Sequence, residues 1–321
     1  MIRFGILGAG KIAKRFAASL EHEEDAELVA VSCRSSEKAA AWVGVGSVTA
    51  EKAYAGEDAH RALIDDPDVD AIYLALPTQL HFQWAKEALE ADKPVLCEKP
   101  AMVNAEQMRE ILNISRERDV LFMEAMKPRF VSLYPAALDA IKKLGEIDHI
   151  EVSLCNDMLS DLMAEPSYHL MGGEGSGALL DCGTYCASWI EELCPGEIKV
   201  LRVSNSFIGD ADISDTAWLE SDGVTAILEC SFTSSKPRTA TIVGRDGGVV
   251  VVDDLHRPQS LTITSPDGVK TTMRSPYVHD DLFGEIYHFC QLLRLDRTES
   301  RLMSLGDSLR IAELLDAIRE Y

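Results

Sequence analysis

Short apolar runs alternate with helical patterns along the first third of the chain. Residues 2–7 form a mostly apolar run, and the spacing that follows predicts a helix through Leu20. Residues 27–32, 70–76, 95–97 and 120–123 read as further buried strands, most of them cut off by Gly, Pro or charged residues. Helical patterns run over 81–90 and from an Asn104 cap to about Arg118, while 51–70 is polar and helix-like around Glu57 to Leu63. Strands alternating with helices predict an α/β domain, a doubly wound parallel sheet complete near residue 123.

From residue 147 the period changes to two. Alternating, β-branched stretches at 150–154, 198–203, 216–220, 224–232, 239–243, 249–252 and 261–264 are separated by turn signals such as Asp222-Gly223, Asp246-Gly247 and Asp267-Gly268. Residues 124–321 are therefore expected to form an α+β domain with a large, mostly antiparallel, open-faced sheet covered by helices on one side. A last helix at about 305–320 is expected to pack back on the first domain. The uncovered face favours a homodimer or higher homo-oligomer.

Composition narrows the partners. The 321 residues are 46% hydrophobic and 26% charged, enough for two buried cores. A net charge of −22 repels nucleic acid and anionic membranes, which leaves small molecules as the expected partners. An anionic cofactor must then be captured by helix dipoles and a few local cations. Eight cysteines without a CxxC pair are expected as reduced, packed thiols of a cytoplasmic protein. No apolar run reaches the ~20 residues of a membrane span. Met1-Ile2-Arg3 enters a strand directly, so no secretory leader is expected.

Candidate chemistry begins where the first strand ends. Gly8-Ala9-Gly10-Lys11-Ile12-Ala13 is a G-x-G-x-x-A dinucleotide fingerprint between a strand and a helix. Gly8 permits the tight turn, Gly10 lets the backbone approach a pyrophosphate, and Ala13 allows close helix–strand packing. The helix opening at Lys11 and Ile12 aims its free amides at the phosphates. Strand two ends in Cys33-Arg34-Ser35-Ser36, where an NAD site places an acid for the ribose hydroxyls. Arg34 and Ser35 suit a 2′-phosphate instead, so NADP is the expected cofactor and NAD the lesser alternative. A solvated Arg34 and a helix-capping serine would explain the same residues. Leu76, Pro77, Thr78 and His81 face the same sheet edge and would line the nicotinamide pocket, unless His81 is a cap or a packed residue.

Glu98-Lys99-Pro100 closes the strand at 95–97, at the end where doubly wound sheets bind ligands, and Pro100 fixes the backbone there. Lys127 and Arg129 stand at the expected domain junction, as substrate contacts or as an interdomain salt bridge. A glycine-rich stretch over 172–177 then leads to Asp181 and Tyr185, spaced i, i+4 along one helix face. A capping acid and a core aromatic would account for the same pair. Cys182 and Cys186 share that spacing, but with no supporting ligands at zinc spacing they read as packed thiols, and no metal site is expected.

Taken in order, five motifs resemble the Gfo/Idh/MocA oxidoreductases over nearly the whole chain. They are Gly8-x-Gly10-x-x-Ala13, Pro77-Thr78-x-x-His81, Glu98-Lys99-Pro100, Glu124-Ala125-x-x-x-Arg129-Phe130 and Asp181-x-Gly183-x-Tyr185. The ending, with Glu299-Ser300-x-x-Met303-Ser304-Leu305 before a final helix, is similar too. Tyr185, where many members have His, resembles the branch of glucose–fructose oxidoreductase, dimeric dihydrodiol dehydrogenase and NADP-dependent D-xylose dehydrogenase. The resemblance implies a Rossmann domain plus an open-faced sheet domain that often dimerises. It implies NADP(H)-dependent hydride transfer at a carbinol or carbonyl carbon of a sugar, polyol or trans-diol.

By the same resemblance Lys99 is the catalytic lysine, the Lys99–Pro100 bond is cis, Tyr185 gives and takes the proton, and Asp181 orients the substrate or the Lys–Tyr pair. Glu98 and Lys99 would also border the cofactor. An ammonium beside a phenol favours phenolate, so Lys99 and Tyr185 are expected to share the reacting hydroxyl, with Arg129 and His169 on others. Glu174 and Lys127-Pro128 depart from the family pattern and bear on the substrate. Two other readings use the same fold. A redox-assisted NAD-dependent lyase or glycosidase is weighed against by Arg34 and Tyr185, and a non-catalytic NADP(H)-binding sensor needs neither Lys99 nor Tyr185.

Overall fold

The computed structural model describes residues 1–43, 49–164 and 167–321. Its strands are β1 (Ile2–Leu7), β2 (Ala26–Cys33), β3 (Lys52–Ala55), β4 (Ala71–Leu74), β5 (Val95–Glu98), β6 (Phe122–Ala125), β7 (Ile147–Cys155), β8 (Lys199–Ile208), β9 (Ala211–Ser221), β10 (Val224–Ser231), β11 (Thr239–Gly244), β12 (Val249–Asp253), β13 (Ser260–Thr264) and β14 (Lys270–Arg274). The α-helices are α1 (Lys11–Leu20), α2 (Ser36–Ala40), α3 (Ala59–Ile64), α4 (His81–Glu90), α5 (Ala105–Arg118), α6 (Leu133–Lys142), α7 (Leu159–Ala164), α8 (Thr184–Leu193), α9 (Phe283–Arg294) and α10 (Leu305–Glu320). The chain divides into two units.

The first unit holds residues 1–102, 106–126 and 278–308. Its six strands are all parallel, in the order β3-β2-β1-β4-β5-β6. Helices cover both faces of such a sheet, so its strands are apolar throughout, and Ile6, Val31, Ile72, Leu74, Val95 and Leu96 are fully buried. Strand order reverses between β1 and β4, and the carboxyl ends of β1, β4 and β5 stand side by side at that switch point.

Two features differ from the sequence expectation. The polar stretch at 51–70 contains a strand, β3, ahead of its helix. At the sheet edge β3 has no apolar face to advertise it; instead the Lys52 ammonium lies 2.8 Å from Asp66 and the Tyr54 hydroxyl donates to Asp66 at 2.7 Å. The segment that returns to this unit is 278–308, whereas 309–321 belongs to the second unit. Phe289 of α9 is fully buried with its ring 5.9 Å from Phe4, the Ser19 hydroxyl donates to Asp280 at 2.9 Å, and Arg294 pairs with Glu23 at 2.5 Å.

The second unit holds residues 103–105, 127–277 and 309–321. Its eight strands run in the order β14-β13-β12-β11-β7-β10-β9-β8, antiparallel except for the β7–β10 pair. The alternation read in the sequence is the pleat: Ala217, Leu219, Ala226, Leu228, Ile150, Val152, Ala240, Ile242, Val250 and Val252 are buried on one face, while the residues between them are more exposed. β14 was not expected, because all five of its residues are exposed and carry no alternation.

The helix carrying Asp181 and Tyr185 also differs in detail. Leu179–Gly183 is a π-turn, and the α-helix proper begins only at Thr184. Gly183 closes this turn against its neighbours: a Cβ there would stand 2.9 Å from Leu179 Cδ1 and 3.1 Å from Cys230 Sγ on β10. A widened turn of this kind inside a helix is a frequent mark of a functional site. Among the described residues no helix is long and apolar enough to cross a membrane, and no cluster of His, Cys, Asp or Glu is placed to hold a metal ion.

Candidate active site

In the first unit, the fingerprint glycines occupy two kinds of environment. Gly8 has φ +108°, and a Cβ there would lie 2.5 Å from the Ala75 carbonyl oxygen, so only glycine fits the turn between β1 and α1. Gly10 caps α1 with an ordinary φ of −81° and has nothing within 4 Å of a Cβ position. Nothing in this chain's own packing requires glycine at position 10; open space before a helix N-terminus is what a pyrophosphate needs. Ala13 is fully buried, Lys11 is exposed, and α1 has no acid in its first turn to compete for the dipole.

Beyond β2, Arg34 is exposed and no acid stands in the Cys33-Arg34-Ser35-Ser36 turn. The Ser35 hydroxyl accepts from the Lys38 amide at 3.2 Å as the cap of α2, which leaves Arg34 as the cation of that turn. The donor set fits a dinucleotide phosphorylated at the ribose.

Glu98, Lys99 and Pro100 close β5 beside this cradle, and the Lys99–Pro100 peptide is cis. Three contacts fix that turn. Tyr73 on β4, stacked at 3.7 Å on Phe16 of α1, donates its hydroxyl to Glu98. Glu124 on β6 accepts the Ala101 amide at 2.9 Å. His81 stands with one ring nitrogen 2.8 Å from the Leu76 carbonyl and the other 3.1 Å and 3.2 Å from those of Pro100 and Ala101. It is 1% exposed, and burial pushes its pKa down. The imidazole thus bridges the loop after β4 and the turn after Lys99; expected to line the nicotinamide pocket, it is instead sealed behind both loops. Thr78 is buried in a short 3₁₀ turn, and Leu76 and Pro77 are half-buried. Tyr73 escaped the sequence reading, and Glu124 entered it only as part of a motif and without this role, because nothing in local spacing marks a strand residue as the support of a neighbouring strand's loop.

The second unit gathers its own group around Tyr185, which is 7% exposed on α8. The Lys127 ammonium is 6.0 Å from the centre of the Tyr185 ring. The His256 ring lies 5.6 Å away and its Nδ1 is 2.7 Å from Asp254. Burial pushes the His256 pKa down against the pull of Asp254, and neither His256 Nδ1 nor Asp254 Oδ1 completes a hydrogen bond among the described residues. Nothing near residue 256 in the sequence announces this pair; the turn after β12 brings it to α8 from some seventy positions away. Asp181, in the π-turn, has Oδ2 3.9 Å from His169 Nδ1, and the His169 ring packs on Tyr168 at 3.9 Å.

Arg129 is placed differently from the expectation that it holds a substrate hydroxyl. Its guanidinium is 1% exposed, donates to the Ser188 hydroxyl at 3.0 Å and the Ser188 carbonyl at 3.1 Å, and pairs with Glu191 at 3.0 Å and Glu192 at 3.3 Å. A buried guanidinium must be paired, and these partners on α8 pair it. Arg129 anchors the helix that carries Tyr185.

Comparison with known proteins agrees with this geometry. Residues 2–126 match a family described as "Oxidoreductase family, NAD-binding Rossmann fold", and residues 137–250 match the GFO/IDH/MocA C-terminal domain. The chain is 29% identical to the scyllo-inositol 2-dehydrogenase (NADP(+)) of Bacillus subtilis, over 100% of this chain and 97% of that protein. It is 28% identical to the trans-1,2-dihydrobenzene-1,2-diol dehydrogenase of Xenopus tropicalis, over 98% and 96%. A 3-ketoreductase from Actinomadura kijaniata, solved in complex with NADP and TDP-benzene, superposes with a TM-score of 0.87 at 26% identity over 99% of this chain and 97% of that one. With both domains matched in order and the fingerprint, the Lys99 turn and the Tyr185 helix in place, the chain belongs to the Gfo/Idh/MocA family of oxidoreductases.

Proposed function

We propose that the protein is an NADP(H)-dependent oxidoreductase acting on a CH–OH group of a sugar, polyol or trans-diol, or on the matching carbonyl. The observation that carries this reading is Lys99, held by Glu98, His81 and Glu124 at the sheet edge where Gly8 and Gly10 leave room for a dinucleotide. Arg34, with no acid in its turn, favours the 2′-phosphorylated cofactor, as does the NADP(+) named for the Bacillus subtilis relative. When bound, the nicotinamide supplies or accepts the hydride. The chain's residues have to orient the carbon and move one proton.

In this reading Tyr185 gives its phenolic proton to the carbonyl oxygen in reduction and takes it back in oxidation. Lys99 holds the same oxygen and stabilises the charge that develops on it. Lys127 and His256 flank the Tyr185 ring, so a cation and an imidazole stand by when the proton leaves. Asp181 and His169 orient the remaining hydroxyls. The eight cysteines are all free, which supports a cytoplasmic setting, and exposed Leu201, Phe207 and Ile208 on the edge strand β8 favour a homo-oligomer.

The test follows nicotinamide absorbance with NADP+ and NAD+ against inositols, aldoses and trans-diols. Turnover with NADP+ on at least one of these is expected. Lys99→Met should abolish it while NADPH still binds, and Tyr185→Phe should lower kcat by about 10²–10⁴-fold. Product formed with no net change in nicotinamide would replace this reading with a lyase or glycosidase; bound NADPH with no turnover would replace it with a sensor.

A further inference from the structure

Two acids of β9, half-buried Asp212 and buried Asp215, have no part in the chemistry above, yet Asp212 holds the segment that presents it. The Gly177 amide donates to the His169 carbonyl at 2.9 Å, and the Gly177 carbonyl accepts from the Asp181 amide at 3.3 Å. Between these contacts the Leu179 amide, which opens the π-turn, donates to Asp212 Oδ2 at 2.7 Å. The fit is close: a Cβ on Gly177, where φ is +101°, would lie 1.9 Å from Asp212 Oδ1. Glycine at 177 is therefore required by Asp212 as well as by the backbone angle.

β9 carries an extra residue here. Ser206 of β8 pairs with Ser214 while Phe207 pairs with Asp212, which leaves Ile213 unmatched. A bulge re-aims the neighbouring side chain, and Asp212 sits beside this one. Asp215 is 3% exposed, has its carboxyl beside that of Asp212, and has no hydrogen-bond partner for its Oδ2 among the described residues.

We propose that Asp212, steadied by the Asp215 carboxyl beside it, is the positioning residue that sets the π-turn and thereby aims Asp181, His169 and Tyr185 at the substrate. Burial and the negative Asp212 beside it push the Asp215 carboxyl far above the usual carboxylate range, so Asp215 keeps a proton to share. Of the other groups facing the pair, Cys230 on β10 is the register partner of Asp215, and Cys182 and Cys186 stand beyond it on the π-turn and α8. The Cys230 and Cys186 thiols are driven up by burial and stay neutral. Asp210 borders Gly172 at the β8–β9 turn. Once alkaline pH removes the shared proton, two carboxylates face each other in a buried site and the anchor at Leu179 loosens.

The inference rests on Tyr185 as the proton carrier, so Tyr185→Phe is measured alongside. The experiment records kcat and KM against pH, with the NADPH dissociation constant, for wild type, Asp212→Ala, Asp212→Asn and Asp215→Asn. Asp212→Ala should lose kcat on the order of 10²-fold with NADPH binding unchanged. Asp212→Asn, whose amide oxygen can still accept from Leu179, should recover part of that loss. Asp215→Asn, which donates to Asp212 at every pH, should lose the alkaline fall in kcat shown by the wild type. Wild-type kcat in Asp212→Ala, or an alkaline fall that survives in Asp215→Asn, overturns the proposal. An unaffected Tyr185→Phe would instead remove the functional reading beneath it.

Discussion

Gly8 and Gly10 look alike in the fingerprint and are held by different causes. At Gly8 the chain itself forbids a side chain, so Gly8→Ala should lower the thermal midpoint by the equivalent of about 1–3 kcal/mol, as for a non-glycine residue forced to positive φ. At Gly10 the surroundings are open, so Gly10→Val should melt with the wild type and yet lose NADPH affinity in a fluorescence titration. A Gly10→Val variant that binds NADPH normally would remove the phosphate from this position. Arg34→Ser should raise the KM for NADPH on the order of tenfold and leave that for NADH little changed, since a charge-assisted contact to phosphate is lost. Gly8, whose turn follows from local context, was legible in the sequence. Arg129 and His81 were not. A cation or imidazole in a string of letters reads the same whether it meets a ligand or a row of buried acceptors.

At the scale of elements, the hydrophobic period located what is buried and missed what is not. β3 and β14 lie at sheet edges and carry little apolar surface, so neither left a period-two signal. β3 is docked through Asp66 instead. Burial alone would raise the Asp66 pKa, but bonds from Lys52, the Asp68 amide and Tyr54 hold it down at about 2. A depressed carboxyl contributes stability above its ordinary value of 3.8 and loses it as pH falls from there through about 2. Asp66→Asn should therefore cost about 1–3 kcal/mol in urea unfolding at neutral pH, a penalty that shrinks in acid. An equal penalty at both pH values would assign the loss to packing. The π-turn at Leu179–Gly183 was read as ordinary helix, because Cys230, against which Gly183 packs without room for a side chain, lies about fifty residues away in sequence.

For the whole molecule, the strand–helix alternation, the change of period after residue 147, the dinucleotide fingerprint and the acidic charge were written in the order of the residues. They sufficed for fold class and a dinucleotide cofactor, because those depend on patterns a few residues long repeated along the chain; the family rested on the resemblance carried by five motifs, and the preference for NADP on the turn at Arg34. Which segment returns to the first unit was decided only in three dimensions: α9 does so because Phe289 meets Phe4, so Phe289→Ala should cost about 3–5 kcal/mol and destabilise a sheet nearly three hundred positions away. The surroundings of Tyr185 were decided there too. Asp212 reaches the Leu179 amide from β9, beside Ile213, which has no partner on β8. His256 and Lys127 reach the Tyr185 ring from two other elements. Local sequence determines which elements form, since backbone and burial preferences act over a few residues. Register, bulges and the packing of distant segments determine which side chains meet, and that meeting is what makes a site.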